Sequence, residues 1–141
     1  TKIEGKKVGA IAITEPFRGS DVQSMRTTAV KDGDHYVING SKTFITNGHL
    51  CDFAVVACKT DDKAGINGIS LIVIERGTTG FSSTALKKMG WHSSDTGEIM
   101  FVCQLIIWLV KKAWDFSTSW KVFKLSAWWQ ELLASVVVNI V

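Results

Sequence analysis

All twelve glycines and the only proline of this 141-residue chain lie at or before Gly97, and the apolar stretches between them are only a few residues long. Short alternating or apolar runs separated by turn residues at close intervals suit strands, which need only a handful of residues each. Alternation and turn residues place strands at 8–14, 27–30, 36–38, 43–45, 53–58, 69–75 and 98–101. Asp32-Gly33 between two such runs predicts a hairpin, because glycine supplies the positive φ that hairpin turns require. Asn39-Gly40 and Asn47-Gly48 are two further tight-turn candidates. So many strands in so short a length predict an all-β domain, an antiparallel β-barrel or sandwich closed enough to protect its edges.

Near residue 102 the composition changes. Five of the six tryptophans lie in the last 39 residues, and 102–141 contains neither glycine nor proline, which locally favours helix. The apolar stretches 105–110 and 132–138 are far shorter than the ~20 residues of a membrane-spanning helix, so no membrane span is expected. The length suits one domain, since chains of this size bury roughly 68–70% of the surface they expose when unfolded. A net charge of +3, with no Lys/Arg run longer than two, gives no nucleic-acid footprint but is compatible with a phosphate-rich small ligand. Cys51, Cys58 and Cys103 are odd in number and have no zinc-type spacing, which predicts reduced thiols, no metal site and an intracellular protein. The opening TKIEGKKVGAIAIT has no leader pattern, so a targeting peptide of a parent enzyme would lie upstream of Thr1.

Several ordered motifs narrow the reading: AITEPFRGSD at 12–21, NGSKTFITNG at 39–48, GISLIVIERGTTGF at 68–81 and KKMGWHSSDTGEIMF at 87–101. Together they resemble the middle β-domain of the acyl-CoA dehydrogenase family, with similarity to its long-chain and isovaleryl-type members. The resemblance implies a domain spanning 1–101 that sits between two helical domains and covers one side of FAD and of an acyl-CoA thioester. It also implies the reaction, α,β-dehydrogenation: a glutamate from the C-terminal helical domain takes the α-proton, a hydride passes from the β-carbon to flavin N5, and an electron-transferring flavoprotein takes the electrons. The intact enzymes it resembles are homotetramers. The implied location is the mitochondrial matrix in a eukaryote, otherwise the bacterial cytoplasm.

The candidate site is read residue by residue. The chain leaves a strand at Thr14 and turns at Pro16, exposing backbone N–H groups and the hydroxyls of Thr14 and Ser20. Taken alone, Glu15, Pro16, Gly19, Ser20 and Asp21 could simply build a turn. The resemblance assigns Ile11, Ala12, Ile13, Thr14, Gly19 and Ser20 to flavin, with Ser20 also approaching the substrate. Phe44 and Thr46 share one face of a strand because side chains alternate with period two, and an aromatic beside a hydroxyl suits an apolar ring with polar edges. The resemblance assigns Phe44, Ile45 and Thr46 to flavin contact; taken alone, Phe44 reads as a core aromatic, and only its position in FITNG favours the functional reading. Phe17 and Arg18 depart from the family, which usually has small residues there that let backbone approach the cofactor. His92, Ser93, Ser94 and Asp95 are adjacent and cannot converge as a hydrolytic triad, so Asp95 and Thr96 are expected to serve the turn or an interface. Glu15, Glu75 and Glu98 are not expected to replace the absent catalytic glutamate.

The tail does not resemble the family. If new codons are formed from the last base of each residue's codon and the first two of the next, tryptophan's single codon fixes glycine at 114/115, glutamate at 120/121, valine at 128/129 and alanine at 129/130. With permitted codon choices 102–116 then reads VPADNLVGEEGMGF and 119–130 reads MESLQTERLVA, both family-like and in the family's order. The expectation is that 102–141 is an out-of-frame translation and that this chain is an inactive fragment. For the tail the alternative is a genuine Trp-rich helix packed on the barrel; for the function two alternatives stand, a non-catalytic β-barrel module binding acyl-CoA or a protein partner, and a membrane-associated protein using its Trp-rich tail.

Overall fold

The computed structural model of the protein describes residues 5–106 and 110–111. Among these residues, eight strands form one curled, half-barrel sheet: β1 (Gly9–Ala12), β2 (Thr28–Asp32), β3 (His35–Thr46), β4 (Phe53–Lys59), β5 (Ile69–Glu75), β6 (Phe81–Ala85), β7 (Thr96–Ile106) and β8 (Val110–Lys111). The strand order is β6-β7-β3-β2-β4-β5-β8, with β1 also paired to β4. This is the all-β class expected from the sequence. Most pairings are antiparallel, but β1 runs parallel to β4 from Gly9↔Phe53 to Ala12↔Val56, and β2 meets β4 in parallel at Thr28↔Lys59.

The middle of β4, Ala54 to Cys58, is buried at every residue, which fits a strand covered on both sides by other elements. Ile38, Val56, Ile74, Ile99 and Phe101 are fully buried in the main core. Phe81 stands edge-on to Phe101 with ring centroids 5.6 Å apart and 73° between planes.

Several expectations are corrected. Asn39-Gly40 is not a turn, because the two expected strands 36–38 and 43–45 are parts of the single twelve-residue strand β3. Gly40 instead permits close passage: a Cβ there would lie 2.7 Å from the Thr27 Cα. The expected strand 8–14 is confined to Gly9–Ala12. The edge strand β6, FSSTA, has too many hydroxyls to show an apolar alternation, and it forms by pairing with β7. β7 runs past Phe101 to Ile106, and β8 pairs with β5 at Leu71 and Ile72, so the helical tendency of the tail fails at these positions. The rest of the expectation for 102–141 lies outside the described residues.

The hairpin at Asp32-Gly33 forms as expected, with Asp32 paired to His35 and Gly33 at φ 57°. Asn47-Gly48 also turns: Gly48 N–H donates to Ile45 O at 2.9 Å, and Cys51 N–H to Asn47 O at 2.8 Å. The three cysteines are free and buried. No described helix is long and apolar enough to cross a membrane.

Candidate functional site

The site begins with a phase change in β3. From His35 to Lys42 the strand pairs regularly with β7, ending at Lys42↔Ile99; pairing resumes at Ile45↔Gly97. Thr43 and Phe44 therefore face the single residue Glu98, as in a β-bulge, and the Thr43 hydroxyl bonds a Glu98 carboxylate oxygen at 3.0 Å. Before the bulge the even-numbered Ile38 and Lys42 point inward and are fully buried. After it the phase reverses: Ile45 is buried, whereas Phe44, 70% exposed, and Thr46 face outward. Phe44 adopts φ 57° to make this change, a conformation that costs a non-glycine residue of order 1–3 kcal/mol.

Across from this segment, Ile11 and Ile13 alternate with the buried Ala10 and Ala12. The two walls enclose an open cleft of about 250 Å³ lined by Gly9, Ile11, Ile13, Thr14, Phe44, Ile45, Thr46 and Asn47. Its chemistry is an apolar wall edged by two hydroxyls and a carboxamide, which fits a planar heteroaromatic ring with polar edges. Six of the nine expected cofactor residues are brought together here. Ala12 is not among the lining residues, since its side chain lies in the core. Gly19 and Ser20 sit on the exposed turn that follows and do not line the cleft. Phe17 is 79% exposed and does not line it either; Arg18 is half-buried, with its Nε lacking an acceptor.

Beneath the cleft lies a charged network that the sequence did not announce. The Lys42 ammonium, fully buried, donates to a Glu15 carboxylate oxygen at 2.9 Å and to Ile13 O at 3.0 Å. The same Glu15 oxygen accepts from the Thr27 hydroxyl at 2.6 Å and Thr27 N–H at 2.9 Å, while the other accepts from Arg26 N–H at 2.7 Å. Burial works to raise the Glu15 carboxyl, but the hydrogen bonds from Thr27, Arg26 and Lys42 outweigh it and hold the group down at about 2. Burial lowers the Lys42 ammonium, an effect partly opposed by Glu15. Thr43 N–H donates to Thr14 O at 2.9 Å, so Thr14 is tied to β3 from its own carbonyl and through both neighbours. The only advance signal was an unusual one: a lysine in phase with the inward Ile38.

Asp95 serves the turn, as expected: its carboxylate accepts from His49 N–H at 3.0 Å and Leu50 N–H at 2.9 Å. The neighbouring loop is braced by Lys88, whose ammonium donates to Trp91 O, Ser94 O and the Thr96 hydroxyl. Among the described glutamates none faces the cleft as a free base. Glu15 is locked below it, Glu98 binds Thr43, and Glu75 pairs with Lys7 at 3.6 Å.

The family model described as "Acyl-CoA dehydrogenase, middle domain" matches residues 10–102. A short-chain-specific acyl-CoA dehydrogenase of Clostridium acetobutylicum is 48% identical over 99 residues, covering 70% of this chain and 26% of the relative. The mitochondrial long-chain-specific acyl-CoA dehydrogenase of Sus scrofa is 48% identical over 100 residues, covering 69% and 23%. A crystal structure of acyl-CoA dehydrogenase from Geobacillus kaustophilus superimposes with a TM-score of 0.71 at 51% identity, covering 74% of this chain and 28% of that one. The chain thus spans about a quarter of the length of the relatives it matches.

Proposed function

Starting from the premise that this chain belongs to the acyl-CoA dehydrogenase family and carries its middle domain, we propose that the cleft between β1 and the end of β3 is a flavin-binding wall. The observation that carries this reading is the bulge, which turns Phe44 and Thr46 outward opposite Ile11, Ile13 and Thr14. Phe44 and the isoleucines would lie against the ring of FAD. The hydroxyls of Thr14 and Thr46 would hydrogen-bond its polar edge. Gly19 and Ser20, on the exposed turn, would meet the cofactor's polar chain, with Ser20 also reaching toward acyl-CoA. FAD, when bound, supplies a hydride acceptor.

The proposed activity of the whole protein is α,β-dehydrogenation of an acyl-CoA thioester within a homotetramer, with electrons leaving to an electron-transferring flavoprotein. Since none of the described glutamates faces the cleft as a free base, the α-proton would be taken by a group other than these. We expect this chain alone to be inactive as a dehydrogenase. The long-chain relative is mitochondrial and the short-chain one bacterial, so the proposed compartment is the mitochondrial matrix or a bacterial cytoplasm. That the reading of 102–141 as out-of-frame sequence is correct is part of the same proposal; sequencing the transcript through this region tests it.

The cleft is tested by titrating FAD into the 141-residue chain and following flavin fluorescence and visible absorbance. An aromatic contact is worth about 0.5–1.5 kcal/mol beyond buried area, so Phe44→Ala should weaken binding at least severalfold. Saturable binding of acyl-CoA without any of FAD would refute the flavin wall and favour a non-catalytic binding module.

A further inference from the structure

We propose that the buried Lys42–Glu15 pair is a register lock, which holds β3 in the one phase that presents Phe44 and Thr46 to the cleft. Lys42 and Glu15 are then positioning residues, an inference that rests on the proposed reading of that cleft as the flavin wall.

Three observations converge. Lys42 is the last β3 residue in regular register with β7, immediately before the bulge. If that register simply continued, Phe44 would oppose Gly97 and follow Ile38 and Lys42 inward, and Ile45 would turn out. A one-residue slip exchanges the two faces of a strand completely. Second, the native phase obliges Phe44 to adopt a positive φ that aromatic residues avoid, and such conformations persist only where the surroundings over-determine them. Third, the pair is an odd choice for stability alone, because apolar side chains of similar volume in place of a buried ion pair are often no less stable. What the pair adds is direction: the ammonium has two fixed acceptors, Ile13 O and a Glu15 oxygen, and Glu15 is itself fixed by Thr27 and Arg26. Lys42 can therefore occupy only one position along β1's continuation. The extra residue of β3 has to be absorbed after it, at Thr43 and Phe44.

The test reads strand phase directly, with the chain's own cysteines silent because all three are buried. In the 141-residue chain, Phe44→Cys and Ile45→Cys are each labelled under native conditions with a thiol-alkylating reagent. The exposed site should react at least about tenfold faster than the buried one, which must wait for local opening. The same pair of reporters is then placed in a Lys42→Met/Glu15→Leu background and, separately, in a Lys42→Arg background that keeps the charge. The lock predicts that the ratio of the two rates collapses or inverts in the apolar background and is retained with arginine. An unchanged ratio in the apolar background overturns it. A rise of both rates together, to the unfolded limit, also overturns it, because the pair would then serve only stability. FAD titration of the chain with Phe44 and Ile45 intact separates the two ideas: a phase change in the reporter proteins, when that parent chain binds no FAD, would leave the lock standing and remove the flavin wall.

Discussion

Replacing Glu15 by glutamine removes the carboxylate's charge while keeping its volume, and the cost follows from its environment. The carboxyl is held at about 2 in the folded protein against an ordinary value of 4.5. That difference, at about 1.36 kcal/mol per pKa unit, makes the ionised form worth about 3 kcal/mol to folding at neutral pH. Because the folded value is the lower one, this stability is fully present above pH 4.5 and is lost as pH falls through about 2. Glu15→Gln mimics the protonated group, so it should cost about 3 kcal/mol at pH 7. The figure already contains the loss of the Lys42 pairing, because the hydrogen bond from Lys42 is one of the causes that hold the Glu15 carboxyl down. Urea unfolding of the full chain, followed by far-ultraviolet circular dichroism, measures it. With a slope of about 1–3 kcal/mol per molar urea, the midpoint should fall by about 1–3 M at pH 7. The gap between the two proteins should narrow steadily below pH 4.5 as wild-type Glu15 takes up its proton. Equal midpoints at pH 7, or a gap that does not change with pH, would refute the assignment of Glu15 as an ionised anchor.

Two further perturbations probe the surroundings of the cleft. Gly40→Ala places a methyl 2.7 Å from the Thr27 Cα, so β3 and the Thr27 segment must separate; thermal unfolding should show a loss of about 1–3 kcal/mol, typical of overpacking. Asp95→Ala leaves the N–H groups of His49 and Leu50 without their acceptor, which should cost about 0.5–2 kcal/mol, like the loss of a helix N-cap, and speed hydrogen exchange at those two amides.

Much of the architecture was legible because it rests on local chemistry. The Asp32-Gly33 hairpin, the turn at Asn47-Gly48 and the apolar runs of β4 and β5 each follow from residues a few positions apart. The motif around Thr14 and the one around Phe44 to Thr46 meet across the sheet, and six of the nine expected cofactor residues line one cleft. Two other local signals misled. Asn39-Gly40 looks like a turn, yet the glycine is there to let Thr27 pass close by. FSSTA does not look like a strand, yet it completes the sheet beside β7.

By itself, then, the sequence determined the all-β class and the placement of most turns, because glycine, proline and alternating apolar residues act through local backbone geometry; the family followed instead from the resemblance of four ordered motifs. Tertiary structure decided the phase of β3. No rule of alternation predicts where a strand will take in an extra residue, nor that a lysine will be buried against a glutamate 27 positions earlier. Those choices depend on what lies across the sheet, and they determine whether Phe44 joins the core or faces the cleft.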